Sequence, residues 1–134
     1  MGDIMSNINI LNKALEGLWL RNKAISQNLS NADTPNYKRL EVTFEDSLRK
    51  ALNDKGIKLK TTHDKHISSA KTIHEVSPRI EVDRSYAYRF DGNNVNIDVE
   101  AANLAKNAIM YNAVINQISR EFSKLRTVIN EGSR

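Results

Sequence analysis

Several features that would point to particular classes of protein are absent from this sequence. It contains no cysteine, so disulfide bonds and thiolate metal sites are excluded. It has no apolar run of about 18 residues, the length at which a helix begins to span a bilayer. The opening residues, MGDIMSNINI, lack a basic segment and a continuous apolar core, so we expect no cleaved signal peptide. Only two prolines and five glycines occur, which favours long uninterrupted helices.

The net charge of the chain is +4, which permits binding to acidic partners such as nucleic acid. The basic residues are spread along the chain, however, and do not gather on one face as in most nucleic-acid-binding proteins. A basic nucleic-acid-binding helical protein is therefore the less favoured of the alternatives.

Two segments, running from Ile4 to Ala32 and from Ile97 to Ile129, carry apolar residues at alternating steps of four and three. This spacing predicts two coiled-coil helices. In the first, only Asn22 breaks the apolar run, and we expect it to be buried and to fix the register. In the second, Asp98 is the predicted N-cap. The seam positions are Leu11, Leu15, Leu18, Asn22, Ile25 and Leu29, then Leu104, Ala108, Tyr111, Ile115, Ile118, Phe122 and Leu125.

The middle of the chain has a different pattern. Residues 40–53 have the spacing of a short helix, residues 57–60 and much of 79–90 alternate like strands, and residues 91–94 favour a turn. We therefore predict a mainly α protein in which long N- and C-terminal helices form an antiparallel coiled coil around a small irregular or β-containing segment. Its three parts would be residues 1–36, 37–95 and 96–134.

The sequence NLSNADTPNYKR, residues 28–39, predicts where the first helix ends. Pro35 lacks an N–H group, and it also disfavours the α conformation at Thr34. We therefore expect the helix to stop near Asn31 and the chain to turn through Pro35 and Asn36, since asparagine tolerates a positive φ.

Some large apolar residues fall outside the two seams, among neutral amide side chains. A solvated helix normally carries lysine and glutamate at such positions. We therefore predict surfaces that become buried against other chains, although packing on the middle segment could cover one side instead. The candidate contacts are Ile10, Trp19, Leu20, Ile109 and Val114.

Three histidines, His63, His66 and His74, raise the possibility of a metal site. Their spacing on a probable loop is weak support for zinc, which needs four ligands in tetrahedral geometry. The sequence has no glycine-rich phosphate loop, nucleophile elbow or H-E-x-x-H motif. We therefore predict no catalytic, cofactor or metal site, and a protein that is not an enzyme.

Two motifs carry a resemblance to a known family. NLSNADTPNYKR closely resembles the N-x-A-N-x-x-T-P-G-Y signature of bacterial flagellar rod, hook and related axial proteins, with Ser30 and Asn36 as departures. RFDGNNVNIDVE, residues 89–100, is similar to the D-G-N-N-V-D-x-x-x-E segment of proximal rod subunits, and Thr62 and His66 fit their T-x-x-x-H. The similarity covers essentially the whole chain. The signature residues are Asn28, Ser30, Asn31, Ala32, Asp33, Thr34, Pro35, Tyr37, Asp91, Gly92, Asn93, Asn94, Val95 and Glu100.

The resemblance implies a structural subunit of the flagellar basal-body rod. Such a subunit polymerises through its terminal helices into the drive shaft that transmits motor torque, and the type III export apparatus delivers it uncleaved to the periplasmic or cell-wall zone. The implied partners are further copies of the subunit, the rod proteins FlgC and FlgF, and the adaptor FliE near the MS ring. A cytoplasmic coiled-coil adaptor or chaperone would explain the heptads but not the pairing of the two motifs.

Overall fold

The computed structural model describes residues 2–53, 77–85 and 89–132. Along the chain these form α1 (Gly2–Ser30), β1 (Leu40–Thr43), α2 (Glu45–Asn53), β2 (Arg79–Val82) and α3 (Ile97–Gly132). With 29 and 36 residues, α1 and α3 are about 44 and 54 Å long at roughly 1.5 Å per residue. The predicted class is confirmed: a mainly helical chain with two long terminal helices and a small sheet between them.

The two long helices pack side by side in opposite directions. Asn28, near the end of α1, contacts Glu100, near the start of α3. At the other end of the pair, Leu11 of α1 lines a small cavity together with Glu121 of α3. The order of contacts along the helices is therefore reversed, and the predicted antiparallel arrangement is confirmed.

A small hydrophobic core lies where the middle segment crosses the helix pair. Leu18 and Ala24 of α1 are buried there with Val42 and Phe44. Gly17 permits this packing, because a Cβ atom at that position would lie 2.6 Å from atoms of the Phe44 ring. The half-buried residues around this core are Leu20, Leu40, Tyr111 and Val114.

The prediction of one helix over residues 40–53 is wrong for its first four residues. They form β1, which pairs with β2 in a two-stranded antiparallel sheet, with Leu40 opposite Val82. The sequence LEVT contains β-branched residues and buries Val42 between exposed neighbours, as a half-buried strand does. The predicted helix begins only at Glu45. The strand predicted within residues 79–90 is confirmed for residues 79–82, whereas residues 57–60 lie outside the described residues.

The first helix ends as its sequence predicts. Its last residue is Ser30, and the chain then turns through Pro35. Asn36 has a φ of 59°, which confirms the left-handed conformation expected at that position.

The second long helix has a different cap from the one predicted. The side-chain oxygen of Asn96 accepts hydrogen bonds from the N–H groups of Asp98 (3.0 Å) and Val99 (3.3 Å). The prediction that Asp98 is the N-cap is therefore wrong. Because the helix begins at Ile97, Asn96 is the residue positioned to satisfy the free N–H groups of the first turn.

The face of α3 that packs on α1 is not centred on the predicted seam. Its fully buried residues are Glu100, Asn107 and Glu121, which share a row spaced by seven residues with Val114. The predicted seam flanks this row, so its members are either half-buried or exposed. Leu104, Tyr111, Ile118 and Leu125 are half-buried, whereas Ala108, Ile115 and Phe122 are exposed. Hydrogen bonds from Asn28 and Arg39 to Glu100 orient the start of α3 in this way.

The predicted seam of α1 lies closer to its observed contact face. Leu18 and Ile25 are buried, while Leu11, Leu15 and Leu29 are half-buried. Asn22 is exposed, so the prediction that it is a buried register-fixing residue is wrong for the single chain. The asparagine of α1 that is buried is Asn28 instead. It lies where α1 is covered by both α3 and β1, and it bonds to Glu100 and Leu40.

Candidate functional site

The two sequence motifs meet at one end of the helix pair, in what we call the motif junction (residues 28–40 and 89–100). The backbone N–H of Asn36 donates to the carbonyl of Asp91 at 2.8 Å, and Lys38 Nζ donates to the carbonyl of Gly92 at 2.8 Å. Gly92 has a φ of 76°, and a Cβ atom there would lie 2.7 Å from Asn36 Oδ1. Only glycine permits this conformation and this close approach without strain.

Asn93 closes the C-terminal end of α1. Its side chain is fully buried, and Nδ2 lies within hydrogen-bond distance of the carbonyls of Asn31 (3.0 Å), Ala32 (2.9 Å) and Thr34 (2.9 Å). Its Oδ1 accepts from the N–H of Val95 at 2.7 Å. Carbonyl groups that follow a helix have no intrahelical partner, and the two N–H groups of this amide are shared among three of them.

Asn28 joins three elements through one buried side chain. Its relative exposure is 0%. Its Oδ1 accepts from the N–H of Leu40 (2.8 Å) and from the hydroxyl of Tyr37 (3.2 Å). Its Nδ2 donates to the carbonyl of Leu40 (2.8 Å) and to Glu100 Oε2 (2.9 Å). The amide therefore connects α1, the first residue of β1 and the first turn of α3.

Glu100 is the buried charge of the motif junction, with a relative exposure of 0%. Arg39 Nε donates to its Oε1 at 2.7 Å, while Asn28 occupies its other oxygen. A carboxylate removed from water requires such a charged, hydrogen-bonded partner. Burial lowers the pKa of Arg39, but the hydrogen bond to Glu100 and the charges of Glu100, Glu41 and Asp83 together raise it above its ordinary value. Burial and the charge of Glu100 also raise the pKa of Tyr37.

Asn94 fixes the small sheet to the motif junction. Its Oδ1 accepts from the N–H of Arg39 at 2.7 Å, and its Nδ2 donates to the carbonyl of Asp83 at 3.0 Å. The N–H of Asp83 in turn donates to the carbonyl of Arg39 at 2.8 Å. Hydrogen bonds from Ser85, with the charge of Arg39, hold the pKa of Asp83 below its ordinary value. The result is a continuous polar network from α1 through the sheet to α3.

The signature residues divide into a buried and an exposed group. Those inside the motif junction are Asn28, Ala32, Asn93, Asn94, Val95 and Glu100. Those on its surface are Ser30, Asp33, Thr34 and Pro35, while Asn31, Tyr37, Asp91 and Gly92 are half-buried. Sequence reasoning missed Arg39, although it ends the motif NLSNADTPNYKR and is the only basic residue hydrogen-bonded to Glu100 in the described part of the chain.

The polar groups of the motif junction bond to one another and to the backbone, which fixes the relative positions of α1, the small sheet and α3. Within residues 2–53, 77–85 and 89–132 there is no group of three or more residues that could hold a metal ion. The three histidines considered for a metal site lie outside those ranges. No helix in the described part of the chain has the length and apolar character needed to cross a membrane.

The five candidate contact residues differ in how the structure uses them. Trp19 and Ile109 are exposed, with relative exposures of 57% and 71%. Leu20 and Val114 pack against the chain's own core, and Ile10 is half-buried beside α3. Only Trp19 and Ile109 therefore remain available to a partner in the single chain.

A second exposed surface covers one side of α3, and we call it the outer face. Between residues 101 and 123 it contains no charged residue, whereas Asp98 and Arg126 lie on the same side of the helix at its two ends. Its members are small, amide or apolar: Ala101, Ala102, Ala105, Ala108, Ile109, Asn112, Ile115, Asn116, Ser119, Phe122 and Ser123.

A pair of long antiparallel helices, fixed at one end by two motifs of flagellar axial proteins, defines a structural subunit of that class. No model of a protein family matches the chain. The flagellar basal body rod protein FlgB of Borreliella burgdorferi is 34% identical over 134 residues, covering 96% of this chain and 99% of the relative. FlgB of Aquifex aeolicus is 33% identical over 127 residues, 95% of each chain. FlgB of Bacillus subtilis is 34% identical over 126 residues, 93% of this chain and 94% of the relative. The chain belongs to the FlgB family of flagellar basal body rod proteins, and the family resemblance of its two motifs is confirmed.

Proposed function

We propose that this rod subunit polymerises through its terminal helices and that the resulting shaft transmits motor torque. The observation that carries the proposal is the outer face of α3. It extends over about 33 Å, at roughly 1.5 Å per residue, and it exposes Ile109, Ile115 and Phe122, with no charged residue of that face between residues 101 and 123. Fully burying such a side chain stabilises an assembly by about 1.5–3 kcal/mol, so repeated subunit contacts would bury a face that is unfavourable in isolation.

The polar character of the α1–α3 contact supports the same proposal. Glu100, Asn107 and Glu121 are the buried residues of α3, while Ala108, Ile115 and Phe122 of its predicted seam are exposed. Hydrogen bonds specify the pairing of the two helices, but they contribute less net stability than a dry apolar interface. A subunit built in this way gains much of its apolar burial only on assembly.

The place of action and the partners form part of the proposal. The subunit is exported uncleaved through the flagellar type III apparatus and acts in the periplasmic or cell-wall zone, without catalysis. Its neighbours are further copies, the rod proteins FlgC and FlgF, and the adaptor FliE. Membership of the FlgB family supports this assignment, because the relatives are named as basal body rod proteins.

Two matched lysine substitutions on α3 test the proposal. Ala108 lies in the outer face, whereas Ala113 is also exposed but lies on the row that already contains Lys106 and Arg120. We expect Ala108→Lys to be absent from purified basal bodies and to abolish swimming, because it buries a charge at a subunit contact. Ala113→Lys should be incorporated normally. Thermal unfolding of both monomers should match the parent chain, and normal incorporation of Ala108→Lys would contradict the proposal.

A further inference from the structure

Trp19 is the only tryptophan of the chain, and it stands exposed on α1. The ammonium group of Lys23 lies 5.9 Å from the centre of its ring and covers part of it. Tryptophan is enriched among the residues that dominate protein interfaces, because it combines a large apolar area with one N–H donor. We therefore expect another copy of the subunit to offer a cavity that can bind this exposed tryptophan.

Such a cavity lies on another side of the same subunit, between α1, β1 and α3, with a volume of about 270 Å³. Ala24 and Ile25 of α1, Leu40 of β1 and Met110 of α3 provide apolar lining. Arg21 and Arg39 also line it, beside the charged residues Glu41, Glu45 and Lys106. The volume is sufficient for an aromatic side chain, and arginine is a favourable neighbour for an aromatic ring.

A hydrogen-bond acceptor without a partner lies buried behind the wall of the cavity. Asn107 lines it and has a relative exposure of 2%. Its Nδ2 donates to the carbonyl of Leu18 at 3.0 Å, but its Oδ1 has no partner among the described residues. A buried unpaired acceptor is unfavourable, and native proteins usually satisfy it. The cavity therefore favours an occupant that combines an apolar body with a single N–H or O–H donor.

We propose that Trp19 of one copy of this chain enters the cavity of the next copy. Its ring would contact the apolar lining, and its indole N–H would donate to Asn107 Oδ1 once the side chains that bury this oxygen in the single chain move aside. The inference rests on the proposed self-assembly and names one of its contacts. It also provides the partner that Asn107 lacks within the described part of the chain.

Both surfaces carry charges of both signs. Trp19 lies between Glu16, one turn before it, and Lys23, one turn after it. The cavity is bordered by Lys106 of α3 and Glu41 of β1. An approach that brings Glu16 towards Lys106 can also bring Lys23 towards Glu41, which would favour one orientation of the incoming helix.

The positions of the two surfaces determine the form of the assembly. Because successive helical residues are about 100° apart, Trp19 lies about 120–160° around α1 from Arg21, Ala24 and Ile25. A subunit therefore cannot fill its own cavity with its own tryptophan. Each copy offers one tryptophan and one cavity on different sides. Such a head-to-tail contact joins copies into a ring or, where the rotation does not close, an open helical filament.

A mixing experiment with two full-length variants tests this contact. Trp19→Ala keeps the cavity but lacks the tryptophan, whereas Met110→Phe narrows the cavity and keeps the tryptophan. In analytical ultracentrifugation, each variant alone should self-associate at least about tenfold more weakly than the parent chain. In a mixture, the tryptophan of a Met110→Phe copy should enter the cavity of a Trp19→Ala copy, so that each such pair forms one head-to-tail contact. In that mixture the single tryptophan should become protected from acrylamide quenching, and its emission should shift to shorter wavelength.

The control for the mixing experiment is Ala113→Phe, which adds the same ring at an exposed position that does not line the cavity. It should associate like the parent chain. If the mixed variants show no gain in association or in protection of Trp19, the proposed contact is overturned. The contact is also overturned if Met110→Phe alone associates normally.

A double-mutant cycle tests the predicted hydrogen bond separately. Trp19→Phe keeps a ring but removes the donor, and Asn107→Leu removes the acceptor. We expect Trp19→Phe to weaken self-association about tenfold in the parent chain and to have little effect in the Asn107→Leu background. If Trp19→Phe weakens self-association equally in both backgrounds, the proposed hydrogen bond is wrong.

The results also distinguish this contact from the proposed function. If Ala108→Lys fails to assemble while all Trp19 variants assemble normally, the cavity contact is wrong and polymerisation through the helices stands. If the Trp19 variants fail and Ala108→Lys assembles normally, the role proposed for the outer face is wrong and the cavity contact stands.

Discussion

Replacement of Asn28 by alanine should destabilise the chain far more than the same replacement at Asn22, six residues earlier on α1. Asn28 is buried and bonds to Leu40, Tyr37 and Glu100, whereas Asn22 is exposed. Both residues have the same intrinsic helix propensity, so the change in propensity on substitution is common to the two variants. The difference in unfolding free energy between the two variants therefore measures what the hydrogen bonds of Asn28 contribute to the motif junction.

The magnitude follows from the groups that lose a partner. Alanine at position 28 leaves the N–H and carbonyl of Leu40 and one oxygen of Glu100 without their side-chain partner. Each buried group left unpaired costs about 1–3 kcal/mol, and the cost is greater when the group is charged. Because Leu40 is only partly buried, water can replace part of what its backbone groups lose, and we expect a total loss of about 3–5 kcal/mol. That is a large part of the 5–15 kcal/mol typical of a folded domain.

Urea denaturation followed by far-ultraviolet circular dichroism measures this loss. The control Asn22→Ala should change the free energy of unfolding by no more than about 0.5 kcal/mol, as exposed substitutions usually do. Asn28→Asp provides a second test, because it keeps the shape but replaces the Nδ2 donor with an oxygen that faces Glu100. It should destabilise the chain at least as much as alanine near neutral pH. If Asn28→Ala and Asn22→Ala unfold at the same urea concentration, the role assigned to the buried amide is wrong.

Two further predictions concern the turn and the stability at low pH. Gly92→Ala should lower the free energy of unfolding by about 1–3 kcal/mol, because φ is positive and the added Cβ meets Asn36 Oδ1. Its control, Gly132→Ala, has nothing within 4 Å and should leave thermal unfolding unchanged or slightly improved. Burial raises the pKa of Glu45, but hydrogen bonds and the charge of Arg21 lower it more, so that the pKa lies below its ordinary value. Because the folded pKa is depressed, the ionised carboxylate contributes stability that is present above the ordinary pKa and is lost as pH falls through the folded pKa. The parent chain should therefore be more stable than Glu45→Gln at neutral pH, and the difference should shrink below about pH 4.5; a constant difference would contradict this.

Local rules predicted the elements whose conformation depends on neighbouring residues. The missing N–H of Pro35 and the tolerance of Asn36 for a positive φ led to the observed end of α1. The heptad pattern predicted two long helices and their antiparallel pairing. The same rules failed where the local signal was ambiguous. Residues 40–43 fit a helix by spacing, yet pairing with β2 makes them a strand.

The packing face of α3 required information that the apolar pattern does not contain. That pattern alone assigned Ala108, Ile115 and Phe122 to a seam, but each is exposed in the single chain. The buried row consists mainly of polar residues, and an interior position for Glu100 is favourable only when Asn28 and Arg39 meet it. The spacing of positions 100, 107, 114 and 121 was visible in the sequence, but no rule of hydrophobic periodicity selects such a row.

By itself, the sequence determined the lengths of the terminal helices, the stop after α1, and the two motifs that identify the family. These depend on backbone geometry and on residues close together in the chain. Only the tertiary structure showed that the two motifs form one buried polar network, since Asn28 and Glu100 are 72 residues apart. The burial of charged and amide groups is favourable only when residues distant in the sequence form hydrogen bonds with them in the right geometry. No local sequence pattern shows whether such partners exist.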